Sequence, residues 1–249
     1  MLTKKIVKDI QSLSHKKLRD EAGAFIAEGP KVVGELLAAP NARCRMLCAE
    51  KEWIGHNKNL LQKLLPEQVF EIDNHWLERI SFLKTPNQVV AVFDKFSLSA
   101  KPVLQNKLSL MLDDIQDPGN LGTIIRNADW FGIENIICSM SCADCYNPKV
   151  VQSTMGSLAR VKIFYEDLIF FINEHRSIPV YGAALSGESI YDLKEIKEGI
   201  FLFGNESKGI HEEILNLCKS RVTIPRFGHA ESLNAAVATG IILAQLKRK

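Results

Sequence analysis

Residues 108–132 read LSLMLDDIQDPGNLGTIIRNADWFG. The first eight, LSLMLDDI, read as an apolar strand with two aspartates just before its last residue. A short polar loop follows, with Pro118, Gly119 and Gly122 at its turn. Asn120–Phe131 then carries helical spacing of apolar residues, with Ile124, Ile125 and Phe131 expected to face a core. Strand, glycine-bearing loop and helix in this order form the repeating unit of an α/β domain. The loop opens like one that cradles phosphate. It lacks both the Lys-Ser/Thr pair of a P-loop and the three spaced glycines of a dinucleotide fingerprint. What it offers instead is one amide, Asn120, and one cation, Arg126. Arg126 is expected to be partly buried and to hold either an internal carboxylate or an anionic substrate, for which a rigid guanidinium fork suits phosphate.

The same alternation continues to the end of the chain. ENIICS, VKIFY, PVYGAAL, GIFLF and RVTIP read as strands, and NPKVVQSTMGSL, DLIFFINEH, GIHEEILNLC and SLNAAVATGIILAQLKRK as helices. Short apolar strands alternating with helices predict a mostly parallel sheet, whose ligands bind beyond the carboxyl ends of the strands. Upstream, IVKDIQSLSHKKLRDEAG reads as a helix with a basic connection. AFIAEG, CRMLCAE, QVFEID and NQVVAVFDK read as strands, and PKVVGELLAA and NHWLERISFL as helices. The segment before Leu108 has no periodicity. The expected division is a small α/β domain over 1–96, a linker over 97–107 and the larger α/β domain over 108–249.

The chain has 249 residues, 46% of them hydrophobic, which is ample for buried cores. The net charge of +2 does not advertise a nucleic-acid binder, but its distribution does. Lys4, Lys5, Lys8, Lys16, Lys17 and Arg19 lie within the first 19 residues, against Asp9 alone. Such a patch binds phosphate by releasing counterions, although a solvated helix face would look the same. No apolar run reaches the length of a membrane span and no signal-peptide core is visible, so a cytoplasmic protein is expected. Cys142-Ala-Asp-Cys145 has zinc or redox spacing, but no second pair completes four ligands. The six cysteines are read as free thiols, with no metal.

Three loops at strand ends concentrate polar chemistry: Asp117–Arg126, Phe203–Gly209 (FGNESKG) and Ile224–Asn234 (IPRFGHAESLN). In the second, Gly204 allows close backbone approach to a ligand, and Asn205 or Ser207 would cap the following helix. In the third, Ser232 is the expected N-cap of the final helix, with Asn234 in its first turn. His229 reads as an exposed loop residue.

In this order and spacing, NLGTIIRNADWFG, FLFGNESKGI and IPRFGHAESLNAAVATG resemble the three motifs of the SpoU-type (TrmH family) RNA 2′-O-ribose methyltransferases of the SPOUT superfamily. KVVQSTMGSLARV resembles the segment that follows the first motif. KKLRDEAGAFIAEGPKVVGELL resembles the family's small RNA-binding domain of ribosomal-protein-like fold. The resemblance covers nearly the whole chain. It implies a deep trefoil knot near the C-terminus, a homodimer, and S-adenosylmethionine bound against Gly204, Ile224 and Leu233. It implies a catalytic group of Asn120, Arg126, Glu206, Ser232 and Asn234, and an RNA substrate held in part by Lys16, Lys17 and Arg19. Ribosomal RNA is the favoured substrate and tRNA the alternative; a non-catalytic ribosome-assembly factor of the same fold would be expected to have lost motif residues. Two departures stand out: Arg226, where several relatives are apolar, and Ala236, where they often have Ser.

Overall fold

The structure is a computed structural model that describes residues 2–97 and 101–248. The chain separates into two compact units, Met1–Ser97 with Asp144–Ala159, and Leu98–Ala143 with Arg160–Lys249. Of the connection expected over 97–107, residues 98–100 lie outside the described residues, and 101–107 form no helix or strand.

The first unit carries α1 (Lys4–Ser12), α2 (Lys16–Ala22), β1 (Ala24–Glu28), α3 (Pro30–Ala38), β2 (Cys44–Ala49), α4 (Lys51–His56), α5 (Lys58–Leu61), β3 (Val69–Glu71), α6 (Asn74–Ile80) and β4 (Val89–Asp94). Its four strands form one mixed sheet in the order β1-β4-β2-β3. β4 runs antiparallel to both β1 and β2, and β3 is parallel to β2. The single helix expected near the N-terminus is two. The Ser12 and Ser14 hydroxyls donate to Asp9 O (2.6 Å) and Gln11 O (2.8 Å), an alternative to continued helical pairing that favours a break. Gly23, at φ 59°, then ends α2 in the left-handed conformation that glycine adopts freely.

The second unit carries β5 (Leu108–Leu112), α7 (Pro118–Trp130) and β6 (Asn135–Ser139), then, beyond α8 (Pro148–Thr154), β7 (Lys162–Glu166), α9 (Leu168–Glu174), β8 (Val180–Ser189), β9 (Gly199–Phe203), α10 (Glu212–Leu215), β10 (Ser220–Thr223) and α11 (Ala235–Leu246). The six strands form one wholly parallel sheet in the order β10-β8-β9-β5-β6-β7, as the alternation of strands and helices predicts. β5 and β9 are buried along their whole length, which is why both read as continuous apolar runs. Met111, Ile137, Ile200 and Leu202 pack with Leu168, Phe171 and Ile172 of α9.

α8 belongs by its packing to the first unit, although the sequence placed it within 108–249. Three contacts account for this. The Tyr146 ring lies 5.0 Å from that of Phe25. Asn41 Nδ2 donates to Ala159 O at 2.9 Å. Arg19 Nη2 and Nε donate to Asp144 Oδ2 at 2.6 and 3.2 Å.

Candidate active site at the carboxyl edge of the parallel sheet

Because every strand of the second unit runs the same way, the loops leaving β5, β9 and β10 emerge at one edge. β9 is the direct neighbour of β5, and β8 alone separates it from β10. The loop after β5 is pinned by the turn after β6. Asp114 N donates to Ser139 Oγ (3.0 Å) and Ile115 N to Cys142 Sγ (3.3 Å). The hydrogen bond with Cys138, helped by those from Ser139 and Ile115, draws the Cys142 thiol down to about 7 against its burial. All six cysteines are free thiols.

Asp117 caps α7, accepting from Asn120 N at 2.8 Å, and Pro118 occupies the first turn. This starts the helix at Pro118, so Asn120 sits in its first turn with its side chain free to turn outward. Asn120 Nδ2 donates to Glu206 Oε1, and Asn120 Oδ1 accepts from Asn234 Nδ2 at 2.9 Å. A carboxylate only accepts, so the Nδ2 edge of Asn120 must face Glu206, and its oxygen is then left for Asn234. Asn234 Oδ1 in turn accepts from Ala236 N (3.0 Å) and Val237 N (3.3 Å) and caps α11. One amide thus ties together three loops whose residues lie 86 and 114 positions away along the chain.

The expected capping roles change accordingly. Asn234, not Ser232, is the N-cap of α11, and Ser232 and Leu233 are exposed in the irregular stretch before it. In the loop after β9, Asn205 Oδ1 accepts from Ser207 N (2.9 Å) and Lys208 N (3.2 Å), closing a tight turn within the loop. α10 begins later, at Glu212, without a side-chain cap. Gly204 also makes a close approach within its own loop. A Cβ there would lie 2.3 Å from Gly209 C and O, where the loop returns on itself. Gly204→Ala is therefore expected to distort the loop and cost about 1–3 kcal/mol, read by thermal unfolding. An unchanged melting temperature would contradict that tight return.

Arg126 is exposed on α7 beside Thr123 and Trp130, and it makes no hydrogen bond or ion pair among the described residues. The partly buried, partnered arginine expected from the sequence is instead an open cation. Ile224 is half-buried at the end of β10. In the first unit Lys16 and Lys17 are exposed, but Arg19 is only 1% exposed. Its guanidinium is spent on Asp144 and on the carbonyls of Leu13 and Ser14, both at 2.8 Å. It is not available to a phosphate, which corrects its assignment as an RNA contact.

Two ties near the site were not read from the sequence. Asp113, 2% exposed, accepts at Oδ2 from both His211 N and His211 Nδ1 at 2.8 Å, fastening the far end of the β9 loop to β5. Asn127 Nδ2 donates to Ala236 O at 2.8 Å and locks α7 to α11, with Gly240 leaving room beside it. Neither pair has a local sequence signal, since each joins residues some hundred positions apart.

Comparison with known proteins shows the family. Residues 107–244 match the model of the SpoU rRNA methylase family, and residues 4–91 match an MRM3-like substrate binding domain. The chain is 29% identical over 246 residues to a 23S rRNA guanosine-2′-O-methyltransferase of Bacillus subtilis, RlmP, covering 97% of this chain and 95% of RlmP. An AdoMet-bound rRNA methyltransferase from Sinorhizobium meliloti superposes with a TM-score of 0.86 at 31% identity, over 99% of this chain and 95% of that one. The SpoU methyltransferase AviRb from Streptomyces viridochromogenes, in complex with AdoMet, superposes with a TM-score of 0.84 at 26% identity, over 99% and 97%. With its three loops joined at one sheet edge and the family model matching across them, this chain belongs to the SpoU rRNA methylase family.

Proposed function

We propose that the protein transfers a methyl group from S-adenosylmethionine to a ribose 2′-hydroxyl of ribosomal RNA. The observation that carries this reading is the Glu206–Asn120–Asn234 chain, which gathers three loops around one point, while Arg126, six residues further along the helix that holds Asn120, has no partner among the described residues. Ribosomal RNA is preferred to tRNA because relatives aligned along both units carry rRNA names.

The loops after β9 and β10 fit the cofactor chemically. Residues 224–234 form no helix or strand, so backbone groups there other than Ala230 O and Asn234 O, which accept from Arg226 Nη1 and Ala238 N, can meet an adenine edge and the polar methionine end. Gly204, Ile224 and Leu233 would hold it, the last two through apolar surface. The cofactor supplies an activated methyl group when bound. The protein's part is to align the hydroxyl and to ease loss of its proton. A guanidinium stays cationic in proteins, so Arg126 serves as an electrostatic group: it binds the adjacent phosphate and stabilises the alkoxide as it develops. Glu206 and Asn234 hold Asn120 in one orientation, and Asn120 and Ser232 position the ribose. The proton leaves to the phosphate or to water, and the reaction needs no metal.

The same reading assigns 1–96 to RNA binding, with exposed Lys16 and Lys17, and 108–249 to catalysis, with 97–107 between. It includes the trefoil knot, a cytoplasmic location and a homodimer. The dimer is supported by large apolar side chains left exposed on α7 and α11, Trp130 at 82% and Val237 at 52%. Covering such side chains with a second copy would remove their apolar surface from water. Trp130→Glu is expected to shift the protein from dimer to monomer in light scattering after gel filtration; a wild type that is already monomeric contradicts the dimer.

Tritium transfer from labelled S-adenosylmethionine to total RNA from a strain lacking the gene tests the main claim. Label in large rRNA, recovered as a 2′-O-methyl nucleotide, is the expected result. Label confined to tRNA, or no cofactor binding by calorimetry, rejects it.

A further inference from the structure

In the first unit a second basic surface lies apart from Lys16 and Lys17. α1 and α6 pack together, and Gln11 Nε2 of α1 donates to Arg79 O of α6 at 2.7 Å. Lys4, Lys8 and Gln11 recur at helical spacing and share one face of α1, so the two lysines run along the side from which Gln11 reaches α6. On α6 the Arg79 guanidinium lies over the Trp76 ring, 5.0 Å from its centroid, and His75 meets the same ring edge-on at 6.1 Å. Lys4, Lys8, His75 and Arg79 are all exposed, and Trp76 is half-buried against the core below. Among the described residues no carboxylate pairs with Lys4, Lys8 or Arg79. The nearby acids make local contacts: Asp73, the N-cap of α6, accepts from Trp76 N at 3.0 Å, and Glu78 accepts from Asn74 Nδ2 at 2.8 Å. Asp9 is the one acidic residue of α1.

We infer that the α1–α6 face, built from Lys4, Lys8, Trp76 and Arg79, binds an unpaired stretch of RNA, with a base stacked on the Arg79 plane and phosphates on the lysines. The chemistry follows from the contacts. The Arg79 guanidinium is held beside the indole by cation–π attraction, and a guanidinium is planar, so it offers a stacking surface to a base. Stacking of unpaired bases on aromatic rings and on Arg planes is a general means of holding RNA, and it is closed to bases inside a duplex. Lysines beside such a platform supply the salt-dependent phosphate term. Charge without the plane would bind duplex and loop alike; the plane adds a preference for open bases. The inference deepens the proposed function by naming what part of the RNA this unit holds, and it rests on RNA being the substrate.

Fluorescence polarisation with two labelled probes tests it: a short RNA hairpin with an unpaired loop, and the matching fully paired duplex. Wild type is expected to prefer the hairpin. Arg79→Lys keeps the charge and loses the plane, so it should weaken hairpin binding about five- to thirty-fold and leave duplex binding unchanged. Trp76→Ala should do the same. Lys8→Ala should weaken both probes and lower the salt slope by about one. Thermal unfolding identifies any loss of fold in Trp76→Ala, and Arg79→Lys, a surface change, decides the matter if that variant is unstable. Equal binding of the two probes by wild type, or hairpin affinity within twofold in Arg79→Lys, overturns the inference. Cofactor binding measured separately by calorimetry reports on the methyltransferase reading alone, so failure of one is distinguishable from failure of the other.

Discussion

Arg126→Ala lowers methyl transfer to RNA by about 10²–10³-fold, the usual cost of removing one preorganised group that stabilises developing charge. The loss falls on kcat rather than on cofactor affinity, because the cofactor is assigned to the loops after β9 and β10. Arg126 is exposed and unpaired among the described residues, so its loss should cost no more than an ordinary surface change, about 0.5 kcal/mol, and leave the melting temperature nearly unchanged. Arg126→Lys should recover only part of the rate, since an ammonium is a point charge without the planar fork. Single-turnover transfer measured beside calorimetric cofactor binding separates these effects. Full activity in Arg126→Ala would remove this residue from the mechanism. A large fall in melting temperature would show instead that it is held by contacts the structure lacks.

Arg19→Ala behaves in the opposite way. It leaves Asp144, whose side chain is 12% exposed, without its partner, and it strips donors from the carbonyls of Leu13 and Ser14. Breaking a buried pair by deleting one member typically costs about 3–5 kcal/mol, because the remaining charge stays desolvated. The expected result is a strongly lowered first unfolding transition by calorimetry, with the segment that carries α8 loosened from the first unit. Arg19→Lys should be almost as damaging, as Asp144 Oδ2 takes two guanidinium nitrogens and a lysine offers one. A destabilisation below about 1 kcal/mol would mean that water reaches Asp144 readily and that the pair is a surface contact.

These two arginines mark the boundary between what is legible in a sequence and what is not. The alternation of apolar strands and helices from Leu108 onward determined a parallel α/β sheet, because residues buried on both faces must be apolar without interruption and parallel strands need helical crossovers. Order and spacing of the three loop motifs determined the family. Capping was missed even where its partner is local: the helix was expected from Asn120, yet Asp117, three residues before the amide it satisfies, caps it from Pro118. Capping chemistry misled at Ser232, because Ser and Asn both cap well, and the choice between them went to Asn234, whose amide is also drawn to Asn120 across the site. Exposure of a charged side chain was not legible at all. Arg19 stands in a run of exposed lysines and Arg126 among core residues of an apolar helix, yet the first is buried and the second open. Burying a guanidinium requires a carboxylate to meet it. The carboxylate that meets Arg19 lies 125 positions along the chain, and only tertiary structure brings it there.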